Sequence, residues 1–214
     1  MDLTPVQIRV LGSLLEKAAT TPDQYPLSTN ALVTACNQKS SRDPVVQLTE
    51  REVTDAIFAL RNDYQLARSS SAGGRTQKHR HIVDETWGLN EEQQAVLAVL
   101  ALRGAQTPGE LRTRTERYVG FPDVEAVETI LLTLAEGDDP FVVDLGRQPG
   151  QSQNRWTHLL SGEPVVAEPT VGRAAAPRAA GTTSSSALVE RIDQLEARLA
   201  ALEAELGISP RQES

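Results

Sequence analysis

The chain repeats itself at an offset of 86 residues, and this repeat limits the folds that it can adopt. The segment from Leu3 to Leu14 matches the segment from Leu89 to Leu100, and each opens with a residue suited to capping a helix, Thr4 or Asn90. Apolar residues then recur with helical spacing in both segments. The 214 residues therefore carry two copies of a unit of about 80 residues.

Each unit predicts three helices followed by a β-hairpin with a glycine-rich turn. In the first unit, helices are expected near residues 5–18, 28–38 and 50–63, with Ser28 and Thr49 as caps, and strands are expected near 65–69 and 78–83. The second unit predicts helices near 91–103, 107–117 and 123–136 and strands near 141–145 and 154–160. This order is that of a winged helix-turn-helix. The sequence thus predicts a mainly α, α+β protein with two tandem winged helix-turn-helix domains, at 1–86 and 87–160.

The composition changes after Leu160. Residues 161–186 are rich in Ala, Pro, Ser and Thr and predict a flexible linker, and residues 208–214 predict a disordered tail. Between them, residues 187–207 predict a coiled-coil helix. Its apolar seam is Leu188, Ile192, Leu195, Leu199, Leu202 and Leu206. In a parallel homodimer, Arg191 would face Glu196 and Arg198 would face Glu203; the alternative is a helix that folds back on its own chain.

Several literal sequence blocks resemble the YceH family of uncharacterised bacterial proteins. They are Leu3 to Pro5, Val10 to Lys17, Thr20 to Ser28, Ala31 to Pro44 and Arg103 to Arg114. The resemblance covers residues 3 to about 160. It implies a tandem winged-helix fold and a bacterial, cytoplasmic setting, and it brings no substrate, cofactor or catalytic residue with it.

Charge is divided unevenly along the chain, whose net charge is -8. Residues 1–83 carry ten basic and eight acidic side chains (+2), residues 84–160 carry six and thirteen (-7), and the remainder carries five and eight (-3). Binding to duplex DNA requires positive potential, so only the first domain is suited to it. The longest apolar run is too short to cross a membrane, and a lone cysteine, Cys36, agrees with a reducing cytoplasm.

Two segments of the first domain carry side chains of the kinds that contact bases and phosphates. The candidates between the second and third helices are Asn37, Gln38, Lys39, Ser41 and Arg42. The candidates in the hairpin are Arg68, Arg75, Lys78 and Arg80. Each segment has a plainer interpretation, a structural turn for the first and a solvated hairpin for the second.

The third helix of each unit argues against DNA reading, because it begins with acids that repel phosphates. The first begins with Glu50, Glu52 and Asp55, and the second with Asp123 and Glu125. Two hypotheses therefore stand. One is a dimeric DNA-binding transcriptional regulator that acts through domain 1. The other is a protein-interaction scaffold that docks a partner protein, with the acidic domain 2 as the docking face.

Catalytic and metal-binding chemistry is not expected. The three histidines, His79, His81 and His158, lack neighbours at metal-ligand spacing, and Cys36 lies on an apolar helix where a buried role is expected. The glycine-rich turns lack phosphate-loop spacing and do not precede helices. We therefore predict no catalytic residue, no cofactor and no metal. Trp87, between the two units, is expected to pack across the domain junction.

Overall fold

A computed structural model describes residues 2–71, 76–147 and 153–162 of the chain. Arg75, the predicted coiled-coil helix with its seam and its charged pairs, the disordered tail and nearly all of the predicted linker lie outside these residues. Within them the chain forms seven α-helices and two small antiparallel sheets. The α+β class predicted from the sequence is confirmed.

The first repeat unit folds close to its predicted pattern. Its elements are α1 (Pro5–Thr20), β1 (Leu27–Ser28), α2 (Thr29–Cys36), α3 (Glu50–Asn62), β2 (Ala67–Ser70), β3 (Lys78–His81) and α4 (Val83–Trp87). Three predicted caps are present, because the hydroxyls of Thr4, Ser28 and Thr49 each accept a backbone N–H of the first helical turn. Helix boundaries are thus set by local hydrogen bonds that the sequence makes visible.

The second unit repeats the three helices and the hairpin, and its described residues include no strand in the place of β1 and no helix in the place of α4. It contains α5 (Glu91–Arg103), α6 (Pro108–Thr115), α7 (Val124–Ala135), β4 (Val142–Asp144) and β5 (Trp156–His158). Asn90 and Thr107 begin α5 and α6 with a capping box, and the Asp123 carboxylate caps α7. The predicted helices and strands of both units agree with the structure to within a few residues.

Three features of the first unit do not follow from the predicted pattern, and one of them is the five-residue helix α4. The two-residue strand β1 pairs with β3, so the first sheet has three strands in the order β1-β3-β2. A short 3-10 helix, Pro22–Gln24, precedes it. The Tyr25 hydroxyl accepts the backbone N–H of His81 at 2.6 Å, which fastens this segment to β3. A two-residue strand is too short to show alternation, so sequence patterning does not reveal it.

The two units are joined along their first helices. Residues Ile8 to Glu16 of α1 are all buried, because α1 packs against its own unit and against α5 of the other. Contact at Gly12 is close: a Cβ atom there would lie 3.0 Å from Leu102 Cγ and 3.1 Å from Ala101 Cβ. The close approach of α5 therefore leaves little room for a side chain at this position.

Contacts far apart in sequence reinforce this joint. The N–H of Leu3 donates to the carbonyl of Leu160 at 2.7 Å, and the N–H of Asp43 donates to the carbonyl of Leu102 at 2.9 Å. Trp87, the last residue of α4, packs with its ring centroid 5.0 Å from that of Phe141 in the second unit. The described residues of both repeat units accordingly belong to a single compact unit. None of the helices in the described ranges has the length and apolarity to cross a bilayer.

Candidate interaction surfaces

The loop between α2 and α3 uses most of its predicted DNA-contacting side chains internally. The Asn37 side chain donates to the carbonyl of Leu48 at 2.8 Å and accepts its N–H at 2.7 Å, which closes the loop. Gln38 accepts a hydrogen bond from Arg42 at 3.2 Å. Ser41 is half-buried with a φ of 58°. Of the five candidates, only Lys39 is exposed. The structural-turn interpretation therefore accounts for this segment.

Arg42 lies inside the molecule, where it forms a buried ion pair with Glu16 of α1. Both side chains are fully buried, and both terminal nitrogens of the guanidinium donate to the carboxylate. Arg42 also donates to the carbonyls of Ala35 and Ser41. Since all of these donors are engaged, Arg42 is not presented to a phosphate.

The Glu16 carboxylate also collects donors from the second unit. Arg117 donates to its Oε1 at 2.9 Å and the Tyr118 hydroxyl donates to the same oxygen at 3.1 Å. Burial alone raises the pKa of Glu16, but the hydrogen bond and charge of Arg42, the charge of Lys17 and the Tyr118 hydrogen bond outweigh it and leave that pKa below its usual range. This cluster, which we call the Glu16 cluster, links α1, the α2–α3 loop and the segment after α6.

The first hairpin places its cations on one face but largely neutralises them. Arg68 lies directly opposite Arg80 in the ladder. Both bind one carboxylate, that of Glu85 on α4, at 2.8 and 2.9 Å. Lys78 is exposed at the start of β3. The predicted basic hairpin thus presents a weaker positive surface than its composition implies.

The outward face of α3 combines an exposed aromatic ring with mixed charge. The Phe58 side chain is 59% exposed, and the guanidinium of Arg61 lies 5.7 Å from its ring centroid. Arg51 pairs with Asp55 at 3.8 Å on the same helix. A large exposed apolar side chain beside acids is poorly suited to the polar edges of a DNA groove.

Helix α7 carries an apolar residue at the equivalent position. The third helices of the two units align at an offset of 74 residues, which pairs Val53 with Val127 in the buried stripe. The same offset pairs Phe58 with Leu132. Leu132 is 57% exposed, and Val124, two turns earlier on the same face, is 39% exposed. Both third helices therefore turn an unburied apolar side chain outward at matching positions.

A groove of about 500 Å³ runs between this face of α7 and the second hairpin. One wall is the stripe Val124, Glu128 and Leu132, whose members are four residues apart and share a helix face. The opposite wall includes Trp156 on β5 and Asp144 on β4. Within the part of the chain that the structure describes, neither Glu125 nor Glu128 forms an ion pair. We call this surface the α7 groove.

Family membership is decided by the match of residues 3–151 to the family model described as "Protein of unknown function, DUF480". The chain belongs to the DUF480 family. A DUF480 relative from Dechloromonas aromatica, a UPF0502 protein, is 43% identical over 205 residues, which cover 95% of this chain and 91% of the relative. A UPF0502 protein of Geotalea daltonii is 52% identical over 169 residues, covering 78% of this chain and 77% of the relative. DUF480 membership agrees with the resemblance to uncharacterised bacterial proteins.

Two buried titratable groups of this DUF480 protein, His79 and Cys36, serve its packing. His79 bridges Thr29 and Ser69, with each hydroxyl oxygen 2.9 Å from a ring nitrogen. Burial raises the pKa of the Cys36 thiol, which keeps it protonated and unreactive. Among the residues that the structure describes, no three His, Cys, Asp or Glu side chains gather closely enough to hold a metal ion.

Acid sensitivity follows from the three histidines, of which His79 and His81 are buried and His158 is half-buried. Burial lowers the pKa of His79, His81 and His158 below the ordinary value of 6.5. The unfolded chain therefore takes up protons first, so this part of the stability is complete above about pH 6.5 and is lost as the pH falls below it. We expect the free energy of unfolding in urea to decrease between about pH 6.5 and pH 5, and His79→Gln to reduce that slope. A flat profile across this interval would contradict the assignment.

Proposed function

We propose that this DUF480 protein is a non-enzymatic binding protein whose α7 groove takes up a basic, partly apolar segment of a partner protein. The observation that carries this proposal is the stripe of Val124, Glu128 and Leu132, in which two exposed apolar side chains flank an unpaired carboxylate. Exposed apolar surface with charged neighbours is typical of sites that bind proteins.

Charge complementarity supports a basic partner. Residues 84–160 carry six basic and thirteen acidic side chains, a net charge of -7. Among the described residues that line the groove, Glu128 and Asp144 are accompanied by a single cation, Arg147. A segment with lysine or arginine beside large apolar residues satisfies both the carboxylates and the apolar stripe.

The proposal extends to the domain type, the oligomeric state and the cellular location. The order of three helices and a hairpin in each unit supports two winged helix-turn-helix domains used for protein contact. The apolar seam predicted at 187–207 supports a parallel homodimer, which would present two α7 grooves and increase affinity by avidity. The single cysteine and the resemblance described above support action in the cytoplasm.

Site-specific photocrosslinking tests the groove. A benzophenone amino acid is placed at position 132 of the full chain in bacterial cells, and at position 133 as the matched control on the same helix. We expect position 132 to crosslink a segment rich in basic and apolar residues that position 133 does not capture. The synthetic form of that segment is then titrated against the purified full chain.

Two charge variants make the result decisive. Glu128→Lys is expected to lower the affinity for the basic peptide at least tenfold, because it replaces an attracting charge in the groove with a repelling one. Glu92→Lys, which changes an exposed acid of α5 outside the groove, should leave the affinity unchanged. Crosslinking to nucleic acid, an acidic segment, or equal effects of the two variants would refute this function.

Duplex DNA binding through the first hairpin is a second candidate, favoured by the cations Arg68, Lys78 and Arg80 on β2 and β3. Binding to a random-sequence duplex should then weaken steeply with added salt. Combined Lys78→Glu and Arg80→Glu substitution should abolish it. Glu85→Gln should strengthen it, because that change frees the two arginines from their shared carboxylate. Unchanged affinity in all of these variants would exclude this surface.

A further inference from the structure

A second cavity, of about 310 Å³, lies where the two repeat units meet. It is open to solvent on one side and is lined by the start of α1, the α2–α3 loop, the end of α5 and the last strand. Its walls are mainly apolar and include Val6, Ile8, Val46, Leu48 and Ala101. This volume is at the small end of the range for ligand sites, and it suits a molecule with a single ring or a short alkyl chain.

Arg9 brings a buried cation to this apolar cavity. Its side chain lies in the wall, and the residue is only 6% exposed. One terminal nitrogen donates to the carbonyl of Pro44, but the other, Nη1, is buried without a hydrogen-bond partner. Among the residues that the structure describes, no carboxylate forms an ion pair with Arg9. A buried charge without an ion-pair partner is costly: burial lowers the pKa of Arg9, and the nearby charge of Asp43 does not outweigh this effect.

His158 adds a second unsatisfied polar atom to the same cavity. Its Nδ1 is buried and lacks a hydrogen-bond partner. Burial lowers the pKa of His158, so the ring is neutral near pH 7 and can carry its proton on Nδ1. In that tautomer, Arg9 and His158 each hold one buried hydrogen-bond donor without a partner, and both residues line the cavity.

We propose that this cavity binds a small organic monocarboxylate, whose charged group accepts hydrogen bonds from Arg9 Nη1 and His158 Nδ1 and whose apolar body fills the space beside Ile8, Val46 and Ala101. A guanidinium is the cation best matched to a carboxylate. Inorganic phosphate fits less well, because the walls are apolar and Asp43 in the same lining repels a dianion.

Benzoate and its neutral analogue benzamide test the proposal on the full chain by amide NMR titration. We expect benzoate to shift the amide signals of Ala101 and Gly104, which line the cavity, and benzamide to bind at least tenfold more weakly. Asp43→Asn should increase the affinity for benzoate severalfold, because it removes a charge of the same sign as that of benzoate. It should leave the affinity for benzamide unchanged. Inorganic phosphate should produce no comparable shifts.

Arg9→Met separates binding from folding. We expect it to weaken benzoate at least tenfold while the Tm stays at or above that of the parent protein, because an apolar side chain replaces a buried charge that has no counter-ion. Arg51→Met, at an exposed arginine of α3, should change neither property. Equal binding of benzoate and benzamide, signals that shift away from the cavity, or full benzoate affinity in Arg9→Met would overturn the proposal.

Discussion

Replacing Glu16 with Gln is expected to lower the free energy of unfolding by about 3–5 kcal/mol, because it leaves the guanidinium of Arg42 charged, buried and without its counter-ion. The substitution hardly changes the shape of the side chain, so the loss reports the charge. Urea unfolding of the full chain measures it. The double variant Glu16→Gln with Arg42→Met should recover part of the loss, since removing both charges ends the mismatch.

Two comparisons separate the buried pair from the rest of the Glu16 cluster. Arg117→Gln removes a partner that is 57% exposed, and it should cost less than about 1 kcal/mol. The folded-state pKa of Glu16 lies below 4.5, so its contribution is complete above pH 4.5 and is lost as the pH falls through the folded-state value. Glu16→Gln should lack that acid-dependent component. Equal losses for Glu16→Gln and Arg117→Gln would show that the buried pair is not dominant.

Gly12→Leu is expected to cost about 2–3 kcal/mol, because even its Cβ atom would meet Leu102 and Ala101 at 3.0–3.1 Å. Neither helix can yield easily, since α1 and α5 are both buried along this contact. This loss of stability arises at the contact between the two repeat units. We therefore expect the circular dichroism of the helices and the fluorescence of Trp87 and Trp156 to show one shared, earlier transition in urea.

Two further variants, one with a smaller side chain at the same position and one with leucine at another glycine, test whether the close contact causes the loss of stability. Gly12→Ala gains about 1 kcal/mol in helix propensity and loses a similar amount to the close contact, so its net change should be small. Gly109→Leu places the same side chain on α6, where a Cβ atom meets nothing within 4 Å, and should have little effect on stability. If Gly109→Leu were as destabilising as Gly12→Leu, the close packing of α1 and α5 would not be the reason.

The helices could be predicted because their boundaries are encoded locally. Thr4, Ser28, Thr49 and Asn90 each cap a helix from a position next to it in the chain. The repeat offset then predicted the same order of elements twice. Pairing of β1 with β3 was not predictable in this way, because only two residues take part and their partners lie about fifty positions away.

The partners of buried charges were also hidden from the sequence. Arg42 follows a polar run, Lys39 to Ser41, and so resembles a surface cation, yet its partner Glu16 precedes it by 26 residues on another helix. One signal was available. Glu16 ends a segment of α1 that has apolar residues on opposite faces of the helix. This pattern indicates a helix that is buried on all sides, where a charge needs a partner.

The exposed stripe of α7 was predictable only in part. Buried positions such as Val127 and Leu131 follow the helical period, but Leu132 adjoins them and looks like one more core residue. Its exposure depends on how the second hairpin packs, which is a tertiary effect. The acidic character of the second unit, by contrast, was plain from composition, and it is what favours a basic partner.

The hydrogen bond from Leu3 to Leu160 and the packing of α1 on α5 have a consequence for synthesis in the cell. A ribosome releases the chain from its amino end, so α1 emerges long before either partner exists. Until α5 has followed, the face of α1 around Gly12 remains uncovered, whatever its own unit has already formed. The nascent chain therefore carries an unburied face of α1 until α5, which ends at Arg103, has been synthesised.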